Sequence, residues 1–127
     1  MTKPLTKAQR EFLAYYSDFL VEVEASLQYV SECYIKDDHD IGDRLMKSVM
    51  AGLEPYNEEN LTLQSIFHED KTALRQLRTF IEAARWAIEV ETSFPSEEQR
   101  MRFLHETLMP RLKNWKGSVD RYAIELA

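Results

Sequence analysis

The chain has 127 residues, 44% hydrophobic and 30% charged, with three Gly and four Pro, a mixture that suits long amphipathic helices and excludes turn-rich sheets and disorder. Its net charge of −6 resides in residues 1–62, with 6 basic and 12 acidic groups against 10 and 10 in residues 63–127, so no basic field for nucleic-acid binding exists. Cys33 is the single cysteine, which excludes an intrachain disulfide and a multi-cysteine zinc site.

Thr6 and Gln9 form a capping-box pair, and a helix is predicted from Lys7. Behind the cap, Phe12, Tyr16, Phe19, Val23, Leu27, Val30 and Tyr34 recur at steps of three and four, which places them on one apolar stripe, with Phe19 in mid-seam. Such a helix is roughly 42 Å long and needs packing partners along its length. Cys33 lies beside Val30 and Tyr34, where a buried small hydrophobe is expected. Lys3 and Lys7 have no uninterrupted apolar run behind them, so no leader is expected, and no segment reaches the ~20 apolar residues of a membrane span. A cytoplasmic protein without membrane contact is the expectation.

Lys36 to Asp40 reads as a polar connection in which an Asp caps a second helix. Ile41, Leu45, Val49 and Leu53 repeat every four residues until Gly52 and Pro55 intervene, where the missing amide kinks or breaks the arm. Tyr56, Asn60, Leu63 and Phe67 resume a helical spacing, which favours one arm kinked near Pro55 and puts the polar Asn60 on its apolar stripe. After the joint at His68–Asp70, Leu74, Leu77, Ile81, Ala84 and Ile88 form a heptad-like seam. Lys71, Arg75, Arg78 and Arg85 lie on the outer side, facing solvent or pairing with acidic groups of the first helix. Ser96 and Gln99 repeat the capping-box logic. The last stripe runs through Met101, Leu104, Leu108, Leu112, Trp115, Val119, Tyr122 and Leu126, with Pro110 as an expected kink.

Four arms, about 7–35, 40–67, 71–92 and 97–126, joined by short connections, predict a single all-α domain, an up-down-up-down four-helix bundle.

Chemistry-bearing patterns are sparse. None of His39, His68 and His105 follows a Glu by three residues, so the di-iron signature is missing. A calcium-loop register with Gly42 at its sixth position would put His39 third, Ile41 fifth and Ser48 twelfth, and these cannot supply the required oxygen ligands. There is no phosphate-cradling glycine loop and no nucleophile elbow. No enzyme activity, cofactor or metal is expected.

What packing leaves over is apolar: Tyr15, Tyr29, Trp86, Phe103 and Met109 lie off the main stripes, which reads first as the edge of a wide core and second as a dimer or partner surface. A module that binds another protein, as adaptor or chaperone, or its own copy in a twofold dimer is therefore the leading expectation. The alternative is a small-molecule binder or enzyme with a pocket near Pro55 formed by Tyr56, Asn60 and His68.

Overall fold

The computed structural model describes residues 4–125, and every regular element among them is helical. The elements are α1 (Lys7–Ile35), α2 (His39–Ala51), a 3₁₀ turn (Glu54–Tyr56), α3 (Leu61–Phe67), α4 (Lys71–Ile88), α5 (Val90–Ser93), α6 (Glu97–Phe103), a π-turn (Leu104–Leu108) and α7 (Met109–Glu125). Lys3 and Leu126 lie outside the described residues. α1 packs on α2 and α7, and α4 packs on the same two helices.

α1 starts where its cap predicts. The Thr6 hydroxyl accepts from the Gln9 amide at 3.1 Å, and the Gln9 side chain accepts from the Thr6 amide at 2.9 Å. Its buried seam is Leu13, Tyr16, Leu20, Val23, Leu27, Val30, Cys33 and Tyr34. Phe12 and Phe19 are only partly buried, which corrects the mid-seam placement of Phe19. The reason is phase: Leu13, Tyr16, Leu20, Val23, Leu27, Val30 and Tyr34 alternate steps of three and four without exception, so the leucines take the centre. The two Phe rings flank it and close over Tyr56 of the 3₁₀ turn, at 6.4 and 5.5 Å between centroids.

The α1–α2 connection turns at Asp37, whose φ of 67° is left-handed. Just beyond it, a Cβ on Gly42 would lie 2.7 Å from the Tyr34 ring, so only glycine lets α2 pass this closely.

α2 ends at Ala51, and Pro55 sits in the first turn of the 3₁₀ segment, where its missing N–H costs nothing. Asn60 is not on an apolar stripe. It begins a separate helix, its side chain accepting from the Leu63 amide at 2.9 Å while its amide group donates to the Pro55 carbonyl at 2.8 Å. The 56-60-63-67 spacing thus runs across a helix boundary.

Asp70 caps α4, accepting from the Ala73 amide at 3.0 Å, from the Tyr122 hydroxyl at 2.9 Å and from Arg121 at 3.4 Å. These donors, the Ala73 amide first, hold its carboxyl below the ordinary value, while burial and the same carboxylate push the Tyr122 phenol up to about 12. A group whose folded-state pKa is depressed stabilises above the unfolded value and loses that contribution as pH falls. Asp70→Asn is therefore expected to destabilise at pH 7, with the gap to wild type closing below about pH 4, as urea titrations across that range will read.

Leu77, Phe80, Ile81, Ala84 and Ala87 carry the buried face of α4, with Leu74 and Ile88 partly buried. On its outer side Arg85 bonds Glu54 at 2.9 Å rather than any group of α1. Ser96 opens α6 with a second capping box, each of its two bonds 3.1 Å long.

Inside the core the Trp115 indole donates to the Tyr16 hydroxyl at 2.9 Å, and Phe67 packs on Trp115 at 5.1 Å and on Tyr122 at 4.4 Å. Burial raises the Tyr16 phenol above its usual range, so it stays neutral.

Candidate functional site

One concavity lies where the C-terminal end of α4 meets the connection to α6 and the π-turn. Trp86 comes from α4, Phe94 from the connection, Gln99, Arg102 and Phe103 from α6, and Glu106 and Thr107 from the π-turn, together lining an open cleft of about 330 Å³. A second cleft of about 290 Å³ lies on Trp86 and Phe94 with Ser93.

The local sequence explains each wall. Phe94 precedes Pro95, which disfavours helix at that position, so the ring is held in non-helical chain and stacks on Phe103 with centroids 4.3 Å apart. Pro110 has no N–H to give the carbonyl four residues back, and the helix widens just before it into the π-turn, where the Met109 amide reaches the Leu104 carbonyl. That widening presents Glu106 and Thr107 to the cleft. Trp86 is 40% exposed, yet the Arg111 guanidinium lies over its ring at 5.4 Å, itself held by the Thr79 carbonyl at 2.9 Å and Glu82 at 3.0 Å. Arg102 and Glu106, 3.2 Å apart, set both signs of charge on the rim.

Behind the Phe94 wall stands a buried polar network. Arg100 donates to the Phe94 carbonyl at 2.8 Å, the Pro95 carbonyl at 3.1 Å and Asp43 at 2.9 Å. Asp43 also accepts from the Tyr34 hydroxyl at 2.6 Å. Burial, reinforced by this carboxylate, raises the Tyr34 phenol above its ordinary range. Residues far apart in sequence thus tie the cleft wall to α1 and α2.

On the same end of the molecule, His39 stacks on Tyr34 at 5.3 Å and directs Nε2 at Asp37, 3.1 Å away, and Glu97, 3.3 Å away. These three groups are close enough together to ligate an ion. The other ring nitrogen decides the chemistry: Nδ1 is buried and has no hydrogen-bond partner. An ion on Nε2 would put the ring proton on Nδ1 as an unsatisfied buried donor, where metal-binding His normally has a second hydrogen bond. Ser31 and His105 approach to 2.7 Å at the surface, but no acid orients the imidazole, so a nucleophile relay is incomplete among the described residues.

Of the residues singled out from sequence, Trp86 and Phe103 meet in the cleft, with a correction for Phe103: it is 4% exposed and forms the floor under Phe94 rather than an outer surface. Met109 is partly buried against the core. Tyr15 and Tyr29 are exposed on α1, 67% and 53%, on a different helix from Trp86. Near Pro55 the structure does not gather the expected pocket. Tyr56 packs on Tyr16 at 4.9 Å, Asn60 caps α3, and His68 opens onto clefts lined by Leu74 and Arg78 and by Leu5 and Ser65. Sequence reading missed Phe94 and Thr107, for which the only signals were the neighbouring Pro95 and Pro110. Among the described residues no helix is long and apolar enough to cross a membrane.

A family model described as a domain of unknown function, DUF8042, matches residues 11–118, a range that takes in every wall of the cleft. No curated protein and no solved structure matches the chain.

Proposed function

The chain belongs to the DUF8042 family, and from that premise we propose that it is a single-domain, up-down-up-down four-helix bundle of the cytoplasm, acting as a protein–protein interaction module that associates with its own copy about a twofold axis. The observation that carries this reading is Trp86, a large aromatic left 40% exposed beside a 330 Å³ aromatic cleft. Trp is the side chain most often found at the energetic centre of interfaces. The rim supports a self-complementary contact: Arg102 and Glu106 lie one turn apart, so a twofold axis passing between them would set the cation of one copy against the carboxylate of the other. The buried free thiol of Cys33 suits a reducing compartment. An adaptor or chaperone-like role follows from a bundle whose surfaces, rather than an internal site, carry its distinctive chemistry.

Sedimentation over a wide concentration range tests the reading. Wild type is expected to show the dimer mass, and Trp86→Glu to sediment as a monomer with an unchanged helical circular dichroism spectrum. A wild type that stays monomeric at the highest concentration, or a Trp86→Glu dimer, overturns it.

A further inference from the structure

We propose that the outer face of α1 is a docking surface for a basic amphipathic helix of another protein, at a place separate from the Trp86 cleft. Between Glu11 and Ile35 the helix contains five carboxylates and no Lys or Arg. Glu11 faces Lys7 at 4.0 Å. Asp18, Glu22 and Glu32 are exposed, and among the described residues no cation lies within 4 Å of them. This face of α1 thus carries negative charge with no Lys or Arg of its own helix between Glu11 and Ile35 to offset it.

That face has the pattern of a helix seam. Tyr15, Asp18, Glu22, Ala25, Tyr29 and Glu32 follow one another at steps of three, four, three, four and three, and all six are exposed. On a helix turning about 100° per residue they lie opposite the buried seam. Tyr15 and Tyr29 are four turns apart, roughly 21 Å, and between them Ala25 and the half-exposed Val21 leave room for a second helix to approach closely. Two aromatic posts, a small-residue middle and interspersed carboxylates match a partner helix of at least four turns with apolar residues on one stripe and Lys or Arg beside it. The same carboxylates repel phosphate backbones, anionic lipid and the α1 face of a second copy.

Fluorescence anisotropy of a labelled, helix-forming Leu/Lys peptide of five turns, titrated with the full chain, provides the test, with an otherwise identical Leu/Glu peptide as comparison. The basic peptide is expected to bind, more weakly as salt rises, and the acidic one not to bind. Asp18→Lys with Glu22→Lys is expected to weaken binding by about tenfold or more, while Glu59→Lys with Glu89→Lys, an equal change of net charge elsewhere, leaves it intact. Trp86→Glu is also expected to bind as wild type does, which separates this proposal from the fate of the dimer. No binding, equal loss in both charge reversals, or tighter binding of the acidic peptide overturns the proposal. So does salt-sensitive self-association that Asp18→Lys with Glu22→Lys abolishes in the absence of peptide, since the occupant would then be a second copy.

Discussion

Replacing Arg100 by Met is expected to lower the unfolding free energy by about 4 kcal/mol, the range found when one partner of a buried ion pair is removed. The side chain of Asp43 is only 5% exposed, and Arg100 is its one cationic partner among the described residues. Without the guanidinium, the carboxylate retains the neutral Tyr34 hydroxyl and loses its counter-charge, and the carbonyls of Phe94 and Pro95 lose their donor. Asp43→Leu added to Arg100→Met is expected to recover much of the loss, because the buried charge goes with its partner. Urea unfolding followed by circular dichroism measures both, and a loss below 1 kcal/mol in the single variant would mean that water reaches Asp43. Arg100→Met should also loosen the Phe94 wall and so weaken the proposed self-association.

Trp115→Ala is expected to cost a similar amount, about 4 kcal/mol. The indole is fully buried, packs on Phe67 and Tyr16, and satisfies the Tyr16 hydroxyl, so truncation opens a cavity and takes away a buried donor together. Trp115→Phe keeps much of the volume and is expected to lose about 1 to 2 kcal/mol, mainly for the hydrogen bond. Because Trp86 is the other Trp, Trp86→Phe isolates the core indole, whose fluorescence should resist acrylamide in the native state.

How much of this was legible in the sequence depended on range. The caps at Thr6 and Ser96 were readable because both partners lie within three residues of each other. The long periodic arms were readable because burial follows the 3.6-residue period, although Phe19 and Leu20 show that ring size misleads about phase by one residue. Asn60 shows the opposite failure, a helical spacing that continued by accident through a turn. Trp86 was visible as an aromatic off the seam, but Phe94 was not, since a residue in a connection has no period to depart from. The Tyr34–Asp43–Arg100 network had no signature, because nothing in the order of residues says which of many acidic and basic groups, here 57 positions apart, will be buried together. The acidity of the first half was plain, while the exposure of Asp18, Glu22 and Glu32 on one outer face of α1 required knowing which face of that helix its neighbours bury.

The π-turn has a bearing on how the family can vary. Leu104, Leu108 and Leu112 are all buried, yet two successive four-residue steps overshoot a regular α-helix by about 80°. The wide turn absorbs much of that rotation, which is why the residues on either side share one core. A relative with one residue fewer between Phe103 and Leu112, and without the proline, can run straight through as ordinary helix with both flanking faces unchanged. The same deletion after Leu112 would turn Trp115 and Val119 out of the core. Length variation at this helix is therefore expected to cluster at the π-turn, and the shortened relatives to lack the wall that Glu106 and Thr107 give the cleft.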